Sequence, residues 1–107
     1  MDREISIAKD FSPTPGPRYM NEGPYSAEAF RNEHFDPAFE VVKDSGGILT
    51  VNLDGGLGFG TSFLEEIFGG AVRKWTYELV KKHVRIISKQ EPYLVDDINL
   101  YMDAANQ

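Results

Sequence analysis

Residues able to do chemistry concentrate in one stretch, Leu53-Asp54-Gly55-Gly56-Leu57-Gly58-Phe59-Gly60-Thr61-Ser62. Its glycines allow a sharp turn, and the first-turn amides of a helix after it, Thr61 to Leu64, would form a weak anion site. The pattern is not a P-loop. That motif needs a lysine after its last glycine to reach the phosphates, and here Gly60 is followed directly by Thr61-Ser62. Gly56-Leu57-Gly58-Phe59-Gly60 also lacks the spacing of a dinucleotide fingerprint, so nucleoside triphosphate hydrolysis is not expected. The candidate partner- or ligand-binding residues are Asp54, Gly58, Gly60, Thr61 and Ser62, joined by Arg18 and Tyr19 from a proline-rich loop. A structural reading competes at Ser62, because Ser62-Phe63-Leu64-Glu65 has capping-box spacing.

Other reactive constellations are sparse. His34 and His83 lie far apart with no motif partners and are read as packing or surface residues. Glu65-Glu66 and Asp96-Asp97 are adjacent carboxylates; neighbours at i, i+1 do not share a helix face, so both pairs are read as solvated. Arg73-Lys74 and Lys81-Lys82 are read as an exposed basic face. Ser62 lacks an evident histidine base, and no metal-ligand spacing occurs. No catalytic residue, metal or cofactor is assigned, and a non-enzymatic role is expected.

The elements that position the glycine-rich stretch follow from periodicity. Ile5-Ser6-Ile7-Ala8 alternates as a first strand. Pro13, Pro15 and Pro17, with Gly16, impose a loop to about Tyr25. Ser26 is an N-cap for a helix bearing Phe30 and His34. Asp36-Pro37 is read as a new cap and first helical position, with a single kinked helix as the alternative, and Ser45-Gly46-Gly47 ends it. Ile48 to Leu53 is the clearest strand, with Leu49, Val51 and Leu53 on one face. An amphipathic helix from Ser62 carries Phe63, Leu64, Ile67, Phe68, Ala71, Val72 and Trp75. Its Gly69-Gly70 pair implies close packing there. Tyr77 to Val80 could extend that helix, Val84 to Ile87 is a third strand, and Ser88 with Glu91 has capping-box spacing for a last helix. Tyr93, Leu94, Ile98 and Tyr101 form the apolar face of that helix. Alternating strands and helices define an α/β layer fold whose helix-length crossovers favour parallel pairing. An edge strand at Ile5–Ala8 could pair with a second copy, which leaves the oligomeric state open.

Composition narrows the partners. The 107 residues suit a single domain, 1–107, and 41% apolar content supplies one core. Eleven Lys and Arg against seventeen Asp and Glu give a net charge of −6, which argues against nucleic acid and anionic membrane as partners. The absence of cysteine removes disulfides, thiolate metal sites and cysteine nucleophiles. Met1 to Lys9 lacks the apolar stretch of a signal peptide, and no apolar run is long enough to span a bilayer, so the expected compartment is the cytoplasm.

Two blocks carry a family resemblance. The first is Gly16-Pro17-Arg18-Tyr19 with Glu22 to Ser26 and Phe30-Arg31. The second is Leu53-Asp54-Gly55 with Gly58 to Glu66 and Phe68-Gly69-Gly70. Together with Pro37 and Glu91-Pro92-Tyr93-Leu94, the chain resembles the STAS-like family of small bacterial proteins of unknown function. The resemblance implies a small mixed sheet flanked by helices. Anti-sigma-factor antagonists of the wider STAS group carry an Asp-Ser pair at the start of the helix after a central strand. A partner kinase phosphorylates that serine, and the added charge breaks the complex. Gly60-Thr61-Ser62 falls at that place, with Gly60 for the aspartate and Thr61 for the serine; Thr61 and Ser62 both keep a hydroxyl and are the phospho-acceptor candidates the resemblance implies. It also implies a histidine-kinase-like ATPase as partner.

The expected function is a regulatory protein-interaction module presenting Asp54–Ser62 to a protein partner, switched by phosphorylation or by such an ATPase. The alternative is a small anionic ligand or nucleotide domain in which the glycine turn cradles the anion and Arg18 clamps it.

Overall fold

Leu49-Thr50-Val51-Asn52 forms the central strand of a three-stranded sheet, and its alternation sorts the two sheet faces. A computed structural model describes all residues 1–107. Strands β1 (Arg3–Ser6), β2 (Leu49–Asn52) and β3 (Val84–Ile87) lie in the order β1-β2-β3, and both pairings are parallel. The register sets Ile5 beside Val51 and Val51 beside Ile86. Ile5, Leu49, Val51 and Val84 are buried under the helices, whereas Glu4, Ser6, Thr50, Asn52 and Arg85 occupy the alternate positions and reach solvent. The α/β class and the parallel pairing expected from the crossovers hold, and the mixed sheet implied by the resemblance is all parallel here. The outer strands are closed locally. Ser6 N–H donates to Asp10 Oδ2 at 2.8 Å, and Arg85 Nη1 donates to the Val84 carbonyl at 2.9 Å and the Lys81 carbonyl at 3.0 Å.

The first strand lies two residues earlier than the alternation suggests, at Arg3–Ser6 rather than Ile5–Ala8. Ile7 to Phe11 coil into a π-helical turn capped by Ser6, whose hydroxyl accepts from Lys9 N–H. Helix α1 (Ala27–Phe30) starts at Ser26 as read, with the serine hydroxyl accepting from Ala29 N–H at 3.0 Å. It passes through a π-bulge, Arg31–Phe35, straight into α2 (Asp36–Ser45). The restart reading of Asp36-Pro37 therefore gives way to its alternative, one helix distorted before the proline. Phe35 and Asp36 both have right-handed helical backbone and Asp36 caps nothing. A proline lacks the amide donor and crowds the preceding turn; the extra residue of the bulge accommodates both demands. Gly46, at φ 75°, ends α2 in the left-handed conformation that glycine adopts without penalty.

Helix α3 (Thr61–Leu64) begins at Gly60 and runs through a second π-bulge, Glu65–Gly69, into α4 (Gly70–Lys74). The Ser62–Glu65 capping box does not form: Gly60 is the N-cap and no side chain caps the first turn. The helix also stops at Trp75 instead of continuing. Thr76 caps a separate helix, α5 (Tyr77–His83), through its hydroxyl and Leu79 N–H. The last helix, α6 (Tyr93–Ala105), starts four residues later than the Ser88–Glu91 spacing implies, because Ser88 donates to the Glu91 carbonyl at 2.7 Å instead. Its buried stripe is Leu94, Ile98 and Met102, while Tyr93 faces solvent with its hydroxyl on Glu91. No helix is long and apolar enough to cross a membrane.

The core joins Phe35, Phe39 and Phe68, all fully buried, with Trp75, whose ring centroid is 4.4 Å from that of Phe39. Each buried aromatic of this size contributes several kcal/mol. His83 is part of this core; its Nδ1 lies 2.8 Å from the Gly47 carbonyl, so it packs, as read.

The capping pattern is testable by urea unfolding. Ser26→Ala and Thr76→Ala should each lower stability by about 0.5–2 kcal/mol. Ser62→Ala should cost less than about 0.5 kcal/mol, since its hydroxyl caps nothing.

Candidate functional site

Two loops meet beside the carboxyl end of β2. The proline loop is closed at its base by Gly16 N–H to the Tyr25 carbonyl, 2.9 Å, and Ala27 N–H to the Pro17 carbonyl, 2.9 Å. Glu28 N–H donates to the Arg18 carbonyl at 3.0 Å, so this loop supplies acceptors for the open amides at the start of α1. Gly16 is required by the close approach, since a Cβ there would stand 2.3 Å from the Pro24 carbonyl oxygen. Such a self-closed loop presents its tip, where Tyr19 and Met20 are each about half exposed, while Tyr25 is half exposed at its base.

The glycine-rich turn docks against it through Leu57 N–H and the Pro13 carbonyl, 2.8 Å. Gly55 and Gly58 take φ of 91° and 137°, values a side chain would resist. Asp54 is a structural clamp: its carboxylate accepts from Gln90 N–H at 2.9 Å, and the Gln90 side chain accepts from Gly55 N–H at 2.8 Å. This ties the turn to the segment between β3 and α6. Phe59 folds back over Gly56, and Leu57 projects outward with 80% of its surface exposed. Gly58, Gly60, Thr61 and Ser62 are all exposed, so both hydroxyls stand on an accessible rim.

Arg18 is engaged. Its Nη1 lies 2.5 Å from Glu65 Oε1 and 3.2 Å from Glu66 Oε1. Glu65 is also held by Arg73 at 2.7 Å, and Glu66 by Arg31 at 3.1 Å. Arg31 faces Asp36 at 3.7 Å, and Lys74 reaches Asp36 at 3.0 Å. Four cations thus surround three carboxylates, a local excess of positive charge in an acidic chain. Arg73, and next Arg18, hold the Glu65 carboxyl below its ordinary range against the opposing effect of burial; Glu65 in turn raises both guanidinium groups. Glu65 and Glu66 are therefore not solvated charges, and Arg73 and Lys74 are not merely an exposed basic face. The reason lies one turn along. A Cβ at Gly69 would stand 2.3 Å from the Glu65 carboxylate, and one at Gly70 would stand 2.4 Å from Arg31 Nη1. The glycine pair gives close packing as expected, but what it admits is an ion pair. A Glu-Glu followed at i+4 by Gly-Gly is the signal the sequence carries for this arrangement.

The sequence-selected residues converge in part. Gly58, Gly60, Thr61 and Ser62 share one exposed stretch, Asp54 stands before it but turns onto Gln90, and Arg18 is held by Glu65 and Glu66, farther along the helix. Tyr19 lies at the loop tip, 6.0 Å from the Arg18 guanidinium carbon. The groove beside the turn, about 430 Å³, is lined by Glu4, Ser6, Lys9, Asp10, Asn52, Asp54 and Gly55. Three acids against one lysine make it a poor cradle for an anion. A family model described as a STAS-like domain of unknown function (DUF4325) matches residues 26–94, from the cap of α1 into α6. No curated protein and no solved structure matches the chain.

Two outcomes check the network. Arg31→Met takes one cation from both Glu66 and Asp36 in a mostly enclosed site, leaving Arg18 and Lys74 on them, and should cost about 1–3 kcal/mol, whereas Arg73→Met, whose side chain is 47% exposed, should cost at most about 1 kcal/mol. Because the folded-state value of Glu65 is lowered, its contribution is complete above the unfolded carboxylate value of about 4.3 and is lost as pH falls through the folded value. Urea midpoints recorded from about pH 6 down to about pH 3 should therefore decline less steeply in Glu65→Gln than in the parent protein.

Proposed function

Because the chain belongs to the family of STAS-like domains of unknown function, we propose that it is a regulatory protein-interaction module. It docks a protein partner on the rim made by the glycine turn, Thr61 and Ser62, with the tip of the proline loop beside it. The observation that carries the reading is the exposure of this rim. Leu57 is 80% exposed on a turn fixed at both ends by hydrogen bonds. A fixed, exposed apolar projection offers a partner's pocket buried area at little ordering cost. The two exposed hydroxyls lie at a helix start without capping anything, which leaves them accessible to a kinase. Phosphate there adds roughly −1.5 to −2 charge and would repel an acidic partner surface. A histidine-kinase-like ATPase is the partner class we propose, acting as the source of that phosphate.

The anionic-ligand alternative has less support. Its clamp, Arg18, is already held by two carboxylates, and the groove beside the turn is acidic.

The test is titration calorimetry with a purified histidine-kinase-like ATPase from the same source. Leu57→Asp should weaken binding at least about tenfold, while urea stability stays within about 0.5 kcal/mol. Ser62→Asp or Thr61→Asp should weaken it as well. Binding that ignores all three substitutions would discard the rim as the docking surface. A nucleotide panel in thermal shift tests the alternative, where a ligand at about 100 times its Kd adds about 2.7 kcal/mol.

A further inference from the structure

The outer border of β3 faces a groove that no element fills. Helix α5 runs directly into β3, and residues of α5, β3 and α6 share the walls. Side-chain hydrogen bonds tie the two helices: Tyr77 OH donates to Asp103 Oδ1 at 2.9 Å, and Lys81 Nζ to Asn99 Oδ1 at 3.2 Å. The groove measures about 350 Å³. That lies near the lower end of small-molecule sites, about 300–1,000 Å³, and suits a ligand of roughly ten non-hydrogen atoms. Val80, Val84 and Met102 are its buried apolar floor, and Ile86 and Val95 are half-buried beside them.

The side-chain polar atoms left open along this groove are all donors. Lys81 Nζ gives one of its three protons to Asn99, and that contact orients the amide so that its oxygen is spent and Nδ2 is open. Arg85 Nη1 is taken by the Lys81 carbonyl at 3.0 Å and the Val84 carbonyl at 2.9 Å, which leaves Nε and Nη2. No carboxylate competes for these groups. Neither Lys81 nor Arg85 enters any ion pair of the chain. Asp103, on the same helix as Asn99, is turned onto Tyr77 and lines no part of the groove. Two cations beside apolar surface without an acid stand apart in a chain of net charge −6.

We propose that this groove binds a small monocarboxylate with an apolar body of about eight carbons. The body lies on Val80, Val84 and Met102, and the carboxylate is held by Lys81 with the Asn99 amide beside it. Lys81 is the principal contact, because Arg85 already closes the carbonyl end of α5. A carboxylate replaces water on these donors with charge-assisted hydrogen bonds. An uncharged amphiphile would cover the donors without satisfying them as well, and a cationic one would meet like charge. The groove shares no residue with the glycine turn or the proline loop, so the site stands independently of the docking rim.

Octanoate and phenylbutanoate are the probes, a flexible and a stiffer carboxylate of suitable size, with octanol and octylammonium as uncharged and cationic counterparts. Each is titrated into the full chain and followed by amide NMR shifts. At least one carboxylate should saturate with a Kd of about 1 mM or below, moving the amides of Val80, Ile86, Val95 and Asn99. Octanol should bind at least about tenfold more weakly, and octylammonium should not saturate. Lys81→Met keeps the apolar stem and removes the charge, so it should weaken the carboxylate about tenfold and leave octanol unchanged. Val95→Trp, which fills the groove from a half-buried position, should abolish both, with the urea midpoint of each variant showing that it folds. Carboxylates that fail to saturate below about 10 mM, or that move the glycine turn instead, overturn the site. Octanol that binds as tightly as octanoate, or octanoate that ignores Lys81→Met, overturns the recognition of charge. An acidic peptide that saturates these amides where both carboxylates fail would give the groove to a protein partner and end the proposal.

Discussion

A shared set of partly buried charges joins the two bulged helices, and the rest of the molecule is arranged around it. An isolated ion pair taken out of water roughly breaks even, because desolvation consumes the attraction. Here Glu65 faces Arg18 and Arg73, and Glu66 faces Arg18 and Arg31, so each desolvated carboxylate is attracted twice. The satisfaction is incomplete at one point only. Arg31 Nε and Asp36 Oδ1 are buried without a hydrogen-bond partner and face each other at 3.7 Å, a contact of opposite charges too long to be a hydrogen bond. Both π-bulges serve this arrangement: Arg31 begins the first, and Glu65 and Glu66 begin the second. Inserting a residue rotates the helix surface that follows, so a bulge lets one helix present charge at one end and a greasy stripe at the other.

The fold was readable where period and burial agree. Leu49, Val51 and Leu53 alternate in the sequence and are all buried, and Val84–Ile87 has the strand bounds its composition suggests. Gly46 ended its helix for a reason visible in the sequence. The misreadings share a cause: spacing rules describe what a segment can do alone. Ser62–Glu65 and Ser88–Glu91 both have the spacing of a reciprocal cap, but Glu65 is claimed by Arg18 from a distant loop and by Arg73 eight residues on, and Ser88 by a backbone carbonyl. Pro37 was placed correctly as a disturbance, but the chain absorbs it in a bulge instead of a break.

The candidate site was legible to a similar depth. Glycine content at Gly55 to Gly60 announces a turn, and the turn is there with two residues at positive φ. What lay beyond reach was division of labour. Asp54 is adjacent to the exposed rim but faces Gln90, thirty-six positions away, and no local pattern reports such a tether. Arg18 was selected for its loop position, and its engagement with Glu65 and Glu66 depends on forty-seven and forty-eight residues of intervening fold.

The closed margins of the sheet have a consequence for any assembly this domain enters. With the Ser6 amide turned onto Asp10 and the Val84 carbonyl covered by Arg85, neither border offers an uninterrupted ladder to an incoming chain. That leaves side-chain shape, rather than main-chain pairing, as the readier basis for association. Recognition of that kind can be retuned one substitution at a time, and it does not seed the open-ended stacking that bare strands invite.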